Sequence, residues 1–398
     1  MASAKDQSDQ KSYNYKIGYM RALTVVAVVL VHAQFGGLHV TPITNVLFEW
    51  FSPSFVMPLF LFISGYLYYE TPRVFGYIKK RLKRLVIPYY GWNFVYALVL
   101  LVVTSIGLIQ WAYPINLTTF FIQPWITGEQ YAFNLAMWFV LALFLSQVAF
   151  VLIREMISKL KIKNEYIFFA FFMLLGLLGT YLFSLGYTDS FYLVFNRMLF
   201  GLPFVQLGYL YKTQLEKYDK PSIISVALLI VVQFSLLSFY NNDLSFDMLH
   251  GDLKGRLFAP FLSSFTGIWL YLQVSMFLVK VFSPTKLPSR VLKYVGNNSW
   301  SVMAHQFLGF WLLSTVFLFV GAEGFDLAAY NRDIYYRYLI GGNSTSAMLY
   351  VLVGLVFPLI ISYLLGRFRG RIVDFFQGEK RKFDKPIVIT YSTRAMIN

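Results

Sequence analysis

The feature that most limits how this chain can fold is a series of ten apolar runs, at about residues 17–36, 46–69, 85–108, 133–153, 166–186, 191–211, 222–240, 257–282, 298–320 and 346–366. Each is close to the roughly 20 residues that a helix needs to cross a hydrocarbon core. In lipid a spanning backbone must satisfy its own hydrogen bonds, so runs of this length read as helices. The expected fold is therefore an all-α polytopic membrane protein with about ten transmembrane helices. Composition agrees, because a chain that is 58% hydrophobic, 20% aromatic and only 13% charged would expose far too much apolar surface as a soluble domain.

The segments between the runs alternate in charge. Lys and Arg fill the amino-terminal tail and the segments around 70–84, 154–163, 212–220, 280–293 and 367–394. The opposite set is nearly empty of them: apart from Arg21 and Arg197 inside spans, only Lys254, Arg256, Arg332 and Arg337 fall there. By the positive-inside rule both termini are expected to be cytoplasmic, which requires an even number of spans. The net charge of +15 is then mostly topology, and no nucleic-acid partner is expected. Residues 1–16 read as a polar cytoplasmic tail, 17–366 as one membrane domain and 367–398 as a basic cytoplasmic tail. The first sixteen residues lead straight into a span, without a short apolar region and cleavage site, so no cleavable signal is expected. The expected location is the cell membrane, as a multi-pass protein.

With no cysteine, disulfides, thiolate nucleophiles and Cys-based metal sites are all excluded. His32, His39, His250 and His305 show no metal-ligand spacing, and no metal site is expected.

Inside the first run, IGYMRALTVVAVVLVHAQFGG at 17–37, Arg21 and His32 are the only residues that ionise readily. Their spacing of eleven residues is about 1,100° of helical rotation, so the two share one face about 16 Å apart. An intramembrane arginine costs about 2.5 kcal/mol or more, which makes the pair a functional candidate. Arg21, one turn inside the span, could instead snorkel to headgroups, and a histidine bonded to a neighbouring helix would explain His32 without function.

A second informative stretch is ETPRVFGYIKKRLKRLVIPYYGWN at 70–93. Apolar and basic residues interleave over 70–84, as in a cytoplasmic interfacial helix. Arg81 and Arg84, three apart, project from one face, where two guanidinium forks could hold phosphates; a polybasic lipid anchor is the other reading. Outside the spans lie an aromatic segment at 109–132 with Trp111, Pro114 and Trp125, a polar one at 241–256 and one at 321–345. They suit a sugar ligand, or an ordinary aromatic belt.

These phrases together resemble the acyltransferase-3 membrane proteins. The family's Arg, ten residues, then His on the first helix is met by Arg21 and His32, and its glycine pair by Gly36 and Gly37. PLFLFISGYLYY at 58–69 resembles its second-helix phrase, and Arg81 and Arg84 followed by LVIPYY resemble its Arg-x-x-Arg. WFV at 138–140 and NNSWSVMAHQ at 297–306, with Ser299 and His305, resemble further family phrases. Many members that modify peptidoglycan or lipopolysaccharide carry an SGNH-type domain after the membrane part. This chain has only a short tail there, similar to the shorter exopolysaccharide and capsule type.

The resemblance implies transfer of an acyl group, acetyl or succinyl, from cytosolic acyl-CoA to a hydroxyl of a surface polysaccharide or lipid-linked glycan. It implies no permanently bound cofactor: acetyl-CoA or succinyl-CoA is the donor substrate. In this scheme CoA phosphates sit on Arg81, Arg84 and Arg21, and the uncharged pantetheine arm presents the thioester near His32. His32 then acts as general base, worth about 10² to 10⁴ in rate, or as nucleophile through an acyl-imidazole. Its orienting group must come from another helix. Arg197, about two turns inside its span, is a candidate for stabilising an oxyanion or for a structural bond. His305, with Asn297 and Asn298, is expected nearer the cytoplasmic side, on the donor path or in packing. Expected partners are acyl-CoA, the glycan, membrane lipid, and a glycan synthase or other envelope protein. The rival class is a secondary transporter or saccharide exporter, against which stand the lack of an inverted repeat and the scarcity of intramembrane acids.

Overall fold

The computed structural model describes residues 13–34, 55–70, 73–110, 114–128, 131–241, 244, 246–342 and 346–377. Expectations at Gly36, Gly37 and Trp111, over the first part of the 46–69 run and beyond residue 377 fall outside the described residues.

Each of the ten apolar runs holds a helix. They are α1 (Tyr15–Gln34), α2 (Val56–Tyr66), α3 (Val74–Ser105), α4 (Ala132–Ser158), α5 (Glu165–Ser184), α6 (Ser190–Leu215), α7 (Ile223–Phe239), α8 (Ala259–Val281), α9 (Ser299–Phe319) and α10 (Ala347–Gln377). Eight are long and apolar enough to cross a membrane; α2, with 11 described helical residues, and α7, with 17, are shorter. Among the described residues there is no β-strand, only an isolated bridge between Asp247 and Asp252. The protein is an all-α polytopic membrane protein.

Local chemistry sets several helix starts. Asn164 accepts the Tyr166 amide at 2.9 Å to open α5, with Glu165 in the first turn, and Ser222 accepts the Ser225 amide at 3.2 Å to open α7. The basic segment forms Val74–Arg81 and then runs through a π turn, Leu82–Val86, directly into Ile87–Ser105. It is thus an extension of the third span. Pro88 and Gly91 follow the π turn within the same helix.

Two helices form the centre. α6 packs against α2, α4 and α5, and α1 against α2, α8, α9, α10 and an amphipathic helix at Leu287–Asn297. The crossing of α2 and α6 is backbone against backbone. A Cβ on Gly65 would lie 1.8 Å from the Val205 carbonyl oxygen, and one on Gly208 would lie 2.0 Å from that of Phe62. Small residues permit this approach where side chains would hold helix axes further apart.

The main core joins α1, α2, α4, α5, α6, α8 and α9, while a second cluster gathers Tyr96, Leu100, Phe133, Trp311 and Tyr330 between α3, α9 and the connecting segments. Around them α3, α5, α7 and α10 turn large apolar side chains outward, among them Leu98, Leu174, Leu228 and Leu352. In a membrane protein this exposed apolar rim is the surface presented to lipid.

Where α1 begins, a polar network ties four helices. Lys16 pairs with Glu216 at 2.7 Å, Tyr66 donates to the same carboxylate at 2.8 Å, and Tyr211 and Gln273 donate to Asp219 at 2.6 and 2.8 Å. This basic end carries the first residues of the domain.

Candidate functional site

α1 presents Arg21 and His32 on one stripe, and both are partly buried. His32 meets α9. Its Nδ1 lies 3.1 Å from Gln306 Oε1, and the Gln306 amide nitrogen donates to the Met303 carbonyl at 3.4 Å. In this arrangement the amide oxygen faces the imidazole; an amide oxygen can only accept, so Nδ1 is the donor of this bond. Gln306 is thus a partner that orients His32 from another helix. The Phe307 ring, 4.9 Å from the imidazole centroid, packs beside it.

Arg337, from the segment between α9 and α10, reaches the same group of rings. Its guanidinium stands 4.6 Å from the Phe310 ring, and Phe310 in turn packs on Phe307 at 5.9 Å. Burial pulls the Arg337 guanidinium down to about 10, which leaves it charged at neutral pH.

Arg21 sits towards the basic end and makes no hydrogen bond or ion pair among the described residues. Tyr13 is its electrostatic neighbour: burial pushes that phenol up to about 12, against the pull of the Arg21 charge. Arg81 lies over the Tyr77 ring at 4.9 Å and is partly buried, whereas Arg84 is exposed. Because the π turn winds less per residue than an α-turn, it splays these two side chains more than their spacing suggests. No contact among the described residues joins either of them to Arg21.

Arg197 is held elsewhere. It donates to the Met248 carbonyl at 3.1 Å and the Thr127 carbonyl at 2.8 Å and lies 5.4 Å from the Trp138 ring. The geometry gives Arg197 a tie between α6 and two connecting segments.

His305 is buried, with Nδ1 2.5 Å from the Tyr96 hydroxyl and its ring 4.2 Å from that of Trp92. As the neighbour in sequence of Gln306, it lies near the depth of His32. The reason is that Leu287–Asn297 lies alongside the first turns of α1, so α9 starts deeper than its position in sequence suggests; Gly296 abuts Gly18 there. Asn298 accepts from Ser362 on α10.

Sequence reasoning missed three groups. Gln306 carries no motif signal of its own. Arg337 did carry one, as one of four positive charges on the side otherwise emptied of them. Arg154, counted with the topological charges, is buried and bound by Glu165, Glu70 and Gln206. Among the described residues no three His, Asp or Glu side chains converge as metal ligands.

The face of α1 turned away from the stripe is different in kind. Leu23, Val26 and Leu30 line an apolar cavity of about 310 Å³ with Ile230, Tyr271 and Val274. Between Leu23 and Leu30 this face of α1 is apolar.

A search of curated proteins and one of solved structures gave no match. A family model, described as an acyltransferase domain of the acyltransferase-3 type, matches residues 14–367. That range runs from just before α1 to the middle of α10 and takes in the His32 chamber, the arginines of α3 and the whole helical core. It also decides between acyl transfer and secondary transport, the two classes that hydropathy left open. The chain belongs to the acyltransferase-3 family and is a membrane acyltransferase.

Proposed function

We propose that this protein transfers an acyl group from cytosolic acyl-CoA to a hydroxyl of a cell-surface or lipid-linked glycan at the plasma membrane. The observation that carries the reading is the His32–Gln306 bond, which holds the one histidine of the described first helix in a fixed orientation within the helical core. In the reaction the acceptor hydroxyl gives its proton to Nε2 as its oxygen attacks the thioester carbonyl. The tetrahedral intermediate then expels the CoA thiolate, which takes the proton back from the imidazolium. One C–O bond forms, one C–S bond breaks, and His32 returns to its starting state.

The donor enters from the basic end. Arg81 and Arg84 bind its phosphates, and Arg21, with no protein partner among the described residues, meets it further along the stripe. An uncharged pantetheine arm spans the remaining distance to His32, about 16 Å from Arg21 along the helix. His305 acts through packing, by holding Tyr96 against α9.

The test uses the purified protein in lipid nanodiscs with labelled acetyl-CoA or succinyl-CoA and candidate glycans. His32→Gln copies one hydrogen bond of imidazole but cannot accept a proton near neutral pH. It is expected to insert, to bind acyl-CoA as the wild type does, and to lose transfer by at least about 10². Arg81→Lys with Arg84→Lys is expected to weaken CoA binding with insertion intact, since Lys keeps the charge without the fork. Near-normal transfer by a folded His32→Gln protein would remove the base from the scheme.

A further inference from the structure

Arg337 is 5% exposed, and its guanidinium is only half used. Nη1 donates twice, to the carbonyls of Ile334 at 2.7 Å and Tyr336 at 2.9 Å. Nε and Nη2 are buried and have no hydrogen-bond partner among the described residues. The planar group is fixed from the sides by the Phe310 ring at 4.6 Å and the Tyr350 ring at 5.7 Å, so it is not free to turn these donors elsewhere.

Which donors are unpaired matters. The Nε–Nη2 edge is the side of a guanidinium from which two N–H bonds project in parallel, at the spacing of the two oxygens of a carboxylate. A single developing oxyanion could use one of these donors and would leave the other buried and unmet. Unpaired donors on a buried charged group are destabilising, and an apolar side chain of similar volume would avoid that cost. The arrangement is explained if a substrate supplies the acceptors.

We infer that Arg337 recognises a carboxylate in the acyl-transfer site, its Nε–Nη2 edge meeting both oxygens of an acidic substrate group beside His32. This rests on the proposed role of His32 for its setting in a reaction, though not for the binding itself. Two sources supply the same chemistry: the distal carboxylate of a dicarboxylic acyl group on the donor, or the acid group of an acidic sugar in the acceptor. Arg337 is linked to His32 through Phe310 and Phe307, and the charge of the bound group is neutralised where water is scarce.

The experiment reads binding to the full chain in nanodiscs, in a His32→Gln background so that turnover does not interfere. The probes are two matched pairs, succinyl-CoA against acetyl-CoA and methyl β-glucuronide against methyl β-glucoside. The acidic member of one pair is expected to bind roughly 10- to 100-fold tighter than its neutral counterpart, the range of one charge-assisted bidentate contact. Arg337→Lys and Arg337→Met should each remove most of that preference and leave the neutral probe's affinity unchanged, which also shows that the variant is folded. A preference in the CoA pair assigns the carboxylate to the acyl tail; one in the sugar pair assigns it to the acceptor. Equal binding within both pairs by the parent protein, or a preference that survives both substitutions, overturns the inference. So does a slower transfer by Arg337→Lys in the His32 protein that is the same for acidic and neutral substrates, because Arg337 would then act on charge developing in the reaction. Since the preference is read without turnover, its presence alongside failed transfer would count against the acyl-transfer scheme alone.

Discussion

Arg154 and Arg337 are both buried, both charged and both flanked by aromatic rings, yet they are opposites in hydrogen bonding. Arg154 Nη1 and Nη2 donate to Glu165 at 2.7 and 2.8 Å, to Gln206 at 3.0 Å and to Glu70 at 3.0 Å. Rings of Phe168 and Tyr209 lie 4.5 and 4.4 Å from it. That cluster joins α4, α5, α6 and the segment after α2 into one unit. Arg337 has no ion pair among the described residues and leaves two donors unmet. The contrast teaches that burial alone does not mark an arginine as structural or functional. What separates the two roles is whether the protein supplies the acceptors.

The strongest way to break this contrast is Arg154→Met. It leaves the Glu165 carboxylate, only 11% exposed, without its cation, and should cost about 3–5 kcal/mol of stability. A thermal melt in nanodiscs followed by tryptophan fluorescence reads the loss; a melting temperature equal to that of the wild type would contradict the structural role.

The next effect concerns the chamber. Gln306→Leu removes the acceptor for His32 Nδ1 without adding bulk, so the imidazole is no longer held to one tautomer and one orientation. Turnover is expected to fall by roughly 10- to 100-fold, the range seen when an orienting partner is lost, with the melt almost unchanged. A matching fall in stability would instead make the bond a packing contact.

The smallest effect is the sharpest comparison. Because Arg337 makes only two hydrogen bonds among the described residues, both to carbonyls of its own segment, Arg337→Met should change stability by less than about 1 kcal/mol, in either direction. Destabilisation on the scale of Arg154→Met, measured in the same melt, would erase the distinction.

Much of the fold was legible because each apolar run reports its own solvent. The shared stripe of Arg21 and His32 was legible too, since helical periodicity needs only their spacing. Partners across helices were not. Gln306 is an ordinary amide on an apolar helix, and only the deeper start of α9 brings it to His32. Arg154 had the right composition for a topological charge and is buried by a carboxylate eleven residues later, across a turn whose geometry the sequence does not specify. Arg337 was visible as an exception to the charge rule, but exceptions announce a cost without saying what offsets it.

The π turn at Leu82–Val86 has a mechanical consequence. Between Arg81 and Tyr96, α3 contains the π turn, Pro88 and Gly91, and each weakens the regular ladder of hydrogen bonds. A Cβ at Gly91 would meet nothing within 4 Å, so no packing stiffens the helix at that point. α3 therefore behaves as two levers with a joint between them. The outer lever carries Arg81, Arg84 lies in the joint itself, and the inner lever is clamped at Tyr96 by His305 and the Ala304 carbonyl. Compliance is concentrated at the joint, so the arm that carries Arg81 can shift while the clamp at Tyr96 stays in place.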